Sequence, residues 1–340
     1  MIASSIVESL DRLDDWVGSL QDAVFLSVVE PGLQALGLAT YTEDAYAALQ
    51  VLCVGVLLVM VTLCMLAPLE RWRPFEPPGH AALARLDRRR AVRVDIIYTL
   101  IDRLGLLRLT LFFFTGPIWN AIAGRLAVAG IGGWQLDQWV STWLPGITDT
   151  ALFGFITYAI VLDFAGYVVH RTQHRFEWWW ALHAVHHSQR WLTVWSDSRN
   201  HLLDMLIVES VFVLLAHAIG VPPGQFVALV AMSKLVESLA HANADVSFGR
   251  VGERLLVGPR FHRVHHGLFV GLDGANGAVN RGCNYGVLFP VWDQMLGTAR
   301  FDLAPGPTGI ADQLPQFGRR DYGGGFWAQQ ILALRRMVQR

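Results

Sequence analysis

Residues 45–69 run without one charged side chain, the run ending at Glu70. A helix rising 1.5 Å per residue needs about 20 such residues to cross roughly 30 Å of hydrocarbon, so this stretch is long enough to span a bilayer. Composition agrees with a membrane setting: over 340 residues, 53% are hydrophobic and only 16% charged, with a mean hydropathy of +0.36. The same figures exclude a disordered chain, and three cysteines exclude a disulfide scaffold. A net charge of -1, with no basic stripe interleaved with aromatics, excludes the usual signature of nucleic-acid binding.

Charge around the apolar runs sets an expected topology. Segment 1–44 is acidic (Glu8, Asp11, Asp14, Asp15, Asp22, Glu30, Glu43, Asp44 against Arg12), unlike the basic start of a signal peptide, so it is expected to stay attached. Within it, residues 24–40 are apolar but interrupted at Glu30-Pro31-Gly32, which reads as an interfacial or packed helix pair. After the first span come Arg71, Arg73, Arg85, Arg88, Arg89, Arg90 and Arg93, a loop the positive-inside rule places in the cytoplasm, with segment 1–44 outside. A second span is expected at about 96–121, where Asp102, Arg103 and Arg108 imply an inner end buried in protein. The Gly- and Trp-rich loop 124–148 then suits the outer face, and 149–169 returns the chain to the cytoplasm. Segments 205–221 and 225–240, joined by Pro222-Pro223-Gly224, read as a short helical hairpin with both feet inside. The expected fold is therefore all-α: a polytopic membrane bundle of four to five apolar segments under a cytoplasmic helical cap. No internal repeat appears. The divisions are 1–44, 45–93 (first span and basic loop), 94–300 (the remaining apolar segments and the cap) and 301–340, a basic cytoplasmic tail with Arg319, Arg320, Arg335, Arg336 and Arg340.

Eleven of the twelve histidines lie between His170 and His266. Three groups stand out: His170-x3-His174, His183-x2-His186-His187 and His262-x2-His265-His266. Helical residues four apart sit one above the other, so His170 and His174 share a face, as do the first and last histidines of each HxxHH unit. The middle histidine stands a step round. With His201 and His241 there are ten candidate ligands, more than one ion can use, which implies two metals. Burying so many polar rings with no metal would be costly. His80 and His217 lie away from these groups and are not proposed as ligands. Cys53, Cys64 and Cys283 form no CxxC pair. Trp178 to Trp180 read as an interfacial aromatic belt.

These boxes resemble those of the fatty acid hydroxylase and sterol desaturase superfamily of integral-membrane di-iron oxygenases. Further family-like elements are Asp163, Arg199-Asn200-His201-Leu202-Leu203-Asp204, His241-Ala242-Asn243, Asn284-Tyr285-Gly286, Trp292-Asp293 and Gly297-Thr298. The likeness covers about residues 94–300; the family often has Pro and Glu where this chain has Leu202 and Asp204. Asp163 lies seven residues before His170 on the same helix face and reads as a hydrogen-bond acceptor for a ligand's outer nitrogen, with a direct ligand or a packing contact as alternatives. Asp204 and Glu237, the latter four residues before His241, are assigned the same orienting role.

The resemblance implies two Fe ions, O2 as co-substrate and an unactivated C–H bond of a membrane lipid, a fatty acyl chain or sterol-like molecule, as the target. Hydroxylation is the first expectation; desaturation of the same substrates is the alternative, and a zinc-dependent hydrolase or a metal conduit are readings from other classes. No HExxH occurs, and the histidines gather at one end rather than along the spans. No dinucleotide fingerprint follows a strand, so electrons are expected from an external donor, a ferredoxin, a cytochrome b5-like protein or a reductase, docking on the cytoplasmic side of a bacterial inner membrane. Arg260, Arg263 and Arg281 are candidates to meet a phosphate or carboxylate of the lipid head group.

Overall fold

The computed structural model describes residues 18–76, 82–105, 121–122, 124–125, 128–130, 134–143, 151–268 and 282–339. Among them there is no strand, and two isolated bridges pair Pro74 with Ala244 and Gly267 with Thr308. The all-helical expectation therefore stands for this part of the chain.

The first apolar run is one helix over Ala39–Trp72. Its main part, α1 (Thr42–Val61), passes through a π turn at Thr62–Leu66 into Ala67–Trp72. Pro68 has no N–H to give, and the wider turn before it absorbs the missing bond. The same device precedes Pro31: a π turn at Phe25–Val29 leads straight into helix Glu30–Ala35, so the expected break there is corrected to a continuous helix.

The expected basic loop is also partly helical. Helix α2 (Ala82–Arg103) takes in Arg88 to Arg93, because its Ala, Leu and Arg residues are strong helix formers and its inward face carries Val94 and Tyr98. The proposed second span begins inside this helix; residues 106–120 and Arg108 lie outside the described residues. Its inner end is buried, as expected. Arg103 donates to Asp197 and to Ser238 Oγ at 2.7 Å, while Asp102 accepts from Ser198 Oγ at 2.9 Å.

Helix α3 (Ala151–Arg175) exposes Leu152, Ile156, Ile160, Phe164 and Val168, four residues apart, and buries Tyr158, Leu162, Tyr167 and His170 on the other side. Phe176 is extended and turns the chain into α4 (Glu177–His187), whose first-turn Glu177 complements the helix dipole. Two further helices, α5 (Leu202–Ala218) and α6 (Pro223–His241), follow one another across a tight turn where the hairpin is expected, and each packs on α3. Gly220, at φ +71, makes the turn, and a Cβ there would stand 2.3 Å from Trp134 O. Among the described residues two helices, Ala39–Trp72 and Leu152–Arg175, are long and apolar enough to cross a membrane. Helix α5 is shorter: its 17 residues rise only about 26 Å.

Short helices α7 (Gly249–Leu255), α8 (Pro259–His265) and α9 (Val291–Met295) complete the cap. Beyond residue 300 the chain folds back rather than trailing away. Helix α10 (Phe326–Val338) buries Ala333 against Val94, Tyr98, Leu182 and Val185, joining α2 to α4. Gln330 Nε2 and Tyr98 Oη are 2.8 Å apart, and Tyr98 Oη donates to Gln329 Oε1 at 2.9 Å.

Candidate metal centre

Helical spacing sorts the histidines into two adjoining groups. His170, His174, His183, His187 and His265 form the first; His186, His241, His262 and His266 form the second. Within each, every ring offers a nitrogen within 4.8 Å of the others. The two HxxHH units divide alike. Their i, i+4 pairs go to one group, His183 with His187 and His262 with His266, while the middle rings His186 and His265 cross to the other. All nine are buried, and the groups touch: His187 stacks on His266 with centroids 4.3 Å apart.

What surrounds the rings determines which nitrogen faces inward. A carbonyl or carboxylate oxygen accepts only, so a ring against it carries its proton there and turns a lone pair the other way. His170 Nδ1 is 2.8 Å from Tyr285 O, His265 Nδ1 2.7 Å from Cys283 O, and His241 Nδ1 2.8 Å from Glu237 O. His183 Nδ1 is 3.3 Å from Asp204 Oδ2, and Asp204 also accepts from Gln173 Nε2 at 2.8 Å and Trp179 Nε1 at 2.6 Å. The four Nε2 atoms of these rings are thus left as inward lone pairs.

Two orienting assignments need correction. The carboxylate of Asp163 touches no histidine; it accepts from the backbone N–H of Leu288 (2.7 Å) and Phe289 (3.2 Å) and from Trp292 Nε1 (2.8 Å). Seven residues of helix put it about 10 Å along the axis from His170, on the right face but out of reach. Glu237 meets His241 through its main-chain carbonyl, and its carboxylate pairs with Lys234 at 3.3 Å.

The loop supplying Cys283 O and Tyr285 O is itself tied down. Asp293 accepts from Tyr285 N at 2.8 Å, Gly286 N at 2.7 Å and Thr298 Oγ1 at 2.6 Å. Asn284, left-handed at φ 58, donates to Phe261 O at 3.0 Å and accepts from Arg300 N at 2.7 Å. A methyl group on Gly282 would stand 3.2 Å from His174 Nδ1. Sequence reasoning noted Asn284 and Asp293 as motif members without seeing that they act by shaping backbone. It missed Asp95, which takes Arg199 Nη1 at 2.6 Å while Arg199 Nε donates to Val185 O at 3.0 Å, securing the end of α4. It also missed Glu70, which accepts from Val194 N at 2.9 Å and Asn243 N at 2.6 Å, fastening the Ala67–Trp72 end of the first long helix to the cap.

His201 joins neither group, which corrects its assignment as a ligand. It caps α5: its Nδ1 accepts from Leu203 N at 3.0 Å, and its Nε2 donates to Gln330 O at 3.1 Å, so neither ring nitrogen is left to bind a metal. Of the arginines suggested for a head group, Arg263 is buried and paired with Glu76 at 2.6 Å, Arg260 pairs with Asp245 at 3.7 Å, and Arg281 lies outside the described residues. The tryptophan run divides three ways. Trp178 is exposed, Trp179 serves Asp204, and Trp180 stands against His174 with centroids 4.9 Å apart. Trp180, His174, His187 and His265 line a cavity of about 500 Å3 that runs between α4 and the segment after residue 308.

The residues fit a pair of soft-to-borderline cations. His186 and His241 oppose Nε2 to Nε2 at 3.1 Å, His262 and His241 at 2.9 Å, and His265 and His187 at 3.1 Å. Buried His170 Nε2 and His183 Nε2 have no hydrogen-bond partner among the described residues. Burial, and then the neighbouring imidazoles, push His186, His187, His262, His265 and His266 well below the usual histidine range, so they are neutral and able to ligate near pH 7. Neither group includes a carboxylate among the described residues. Imidazole-only sites suit Fe, Zn, Cu or Ni rather than Mg or Ca.

Comparison with known proteins points the same way. Residues 155–298 match the fatty acid hydroxylase family model. An ornithine lipid hydroxylase, OlsE, of Rhizobium tropici is 27% identical over 216 residues, covering 64% of this chain and 60% of the relative. Alkylglycerol monooxygenases of Caenorhabditis elegans and Homo sapiens are 28% and 29% identical, each over 40% of this chain and over 25% and 28% of their own length. The chain thus spans three fifths or less of the length of these relatives. No solved structure matches.

Proposed function

We propose, from the match of residues 155–298 to the fatty acid hydroxylase family model and from the paired histidine groups, that the chain is an O2-dependent lipid hydroxylase of that family in which each group holds one iron ion. The observation that carries this reading is the inward convergence of nine buried imidazoles in two adjoining sets. Side chains of ordinary pKa cannot break a saturated C–H bond; bound iron would supply the O2 activation that can.

The chain's own residues do the positioning. Asp204 and the carbonyls of Cys283, Tyr285 and Glu237 hold four rings in one tautomer, lone pair inward. Asp293 and Asn284 hold the carbonyl-bearing loop. Trp180, Ala181 and Ala184 give the cavity beside His187 an apolar wall, which suits a hydrocarbon chain. The names of the relatives favour hydroxylation over desaturation of such a chain. The substrate would come from the membrane, electrons from a separate donor protein at the cap, and the cap would face the cytoplasm, as the basic stretches around Arg88 and Arg335 suggest.

The test is product analysis with purified full-length protein in lipid nanodiscs, supplied with iron, O2, a ferredoxin and its reductase. A lipid product that gains one oxygen atom, labelled from 18O2 and absent without iron, is the expected outcome. A product labelled from water, or equal turnover with zinc in place of iron, would overturn the assignment.

A further inference from the structure

The cavity beside the first histidine group has a second kind of lining. Across from α4, which lines the cavity with Glu177 as well as Trp180, Ala181 and Ala184, the segment after residue 308 contributes Arg320, Tyr322, Arg336 and Gln339. The two arginines differ in what already holds them. Arg320 Nη1 lies 3.3 Å from Asp312 Oδ2, and that carboxylate also receives Tyr322 Oη at 3.1 Å, so the charge of Arg320 is met. The direct contacts of Arg336 are with neutral groups, its guanidinium carbon standing 4.3 Å over the Tyr322 ring and Nη1 making a long 3.4 Å bond to Asp321 O, while the Asp312 and Asp321 carboxylates act on it without a direct ion pair. Its Nε and Nη2 are buried with no hydrogen-bond partner among the described residues. A guanidinium seated over a ring with donors unspent is a preorganised fork for an oxyanion, since a second pair of hydrogen bonds would repay its burial.

We infer that this cavity takes an anionic amphiphile, its phosphate or carboxylate seated on Arg336 and its apolar chain lying along Trp180 and Ala184 toward His187. The inference rests on the lipid hydroxylase reading for the identity of the chain, and it names the class of substrate: a lipid carrying a negative group. It also gives the segment beyond residue 300, which lies outside the family match, a part in choosing that substrate. Arg336 is a specificity residue here; nothing in its placement puts it at the reacting atom.

The experiment measures binding to full-length protein in phosphatidylcholine nanodiscs, with tryptophan fluorescence as the readout and three probes: dodecyl phosphate, dodecanol and inorganic phosphate. Dodecyl phosphate should bind about tenfold or more tightly than dodecanol, as one charge-assisted fork implies. Arg336→Gln should remove that preference and leave dodecanol binding as it was, Arg336→Lys should restore part of it, and Arg320→Gln should keep most of it. Equal binding of the two dodecyl probes to the wild type, or a preference that survives in Arg336→Gln, would overturn the inference. So would inorganic phosphate competing as well as dodecyl phosphate, because the site would then be one for free anions. Should Arg336→Gln fail to fold, the wild-type ranking of the probes still decides. Oxygenated product without probe discrimination sinks this inference alone; discrimination without any O2-dependent product sinks the hydroxylase reading and leaves the binding site standing.

Discussion

The first histidine group is fixed from outside and the second from within. In the first, His170, His183 and His265 donate through Nδ1 to Tyr285 O, Asp204 and Cys283 O, groups that belong to other segments of the chain. In the second, His241 donates to a carbonyl of its own helix, and Nδ1 of His186, His262 and His266 has no hydrogen-bond partner among the described residues. The first group also borders the cavity, through His174, His187 and His265. The hydrogen bonds that set ring orientation therefore come from distant segments in the first group and from within one helix in the second, whose rings are brought together by the packing of three helices.

Substitutions can break or sharpen that contrast. The largest effect is expected from His265→Ala, which removes a first-group ring: activity should fall by more than about 100-fold, beyond the usual loss for outer partners, and metal content should drop by one ion per chain. Loss of both ions would show that the groups do not bind independently.

Acid should act on both groups alike. The rings of His186, His187, His262, His265 and His266 titrate well below the usual range when folded because burial disfavours their charged form, whereas in the unfolded chain they take protons near pH 6.5. Below that pH the unfolded state binds more protons, so stability falls as pH falls, by at most about 1.4 kcal/mol per pH unit for each ring. Thermal melts of metal-free protein should therefore be flat from pH 8 to about 6.5 and decline below it. A melt that stays flat down to pH 5 would contradict the burial of neutral rings.

A smaller, sharper comparison sets Asp204→Asn against Glu237→Gln. The first removes the carboxylate that orients His183 and should cost about 10- to 100-fold in metal affinity. The second changes a side chain that does not touch His241 and should stay within about twofold, read by competition with a metal-sensitive dye. The smallest effect belongs to His201→Ala, which loses a helix cap worth about 1 kcal/mol in chemical denaturation while metal content stays unchanged.

The legible part of this site was the part written in helical spacing. Four-residue intervals put His170 above His174, and His183 above His187, whatever the rest of the fold does. The sharing of each HxxHH unit between two groups needed the helices placed against one another. His201 was misread because a ring that caps a helix and a ring that binds metal carry the same letter; only the 3.0 Å contact to Leu203 N separates them. The carbonyls of Cys283 and Tyr285 left no signal, since every residue has one. Arg336 was seen as part of a basic tail because nothing in its neighbours' identities reveals that α10 folds back onto α4. Of the apolar segments, residues 45–69 were plain from the absence of charge, while the boundary between the basic loop and the next helix was hidden by arginines that serve both.

X-ray absorption on full-length protein purified with iron tests the central claim most directly. The account predicts two irons per chain, each ringed by imidazole nitrogen from the protein, with oxygen only at the positions left open; His265→Ala should retain one such iron and His201→Ala both. A single iron per chain, or a shell of carboxylate oxygen or sulfur that is unchanged in His265→Ala, would contradict it.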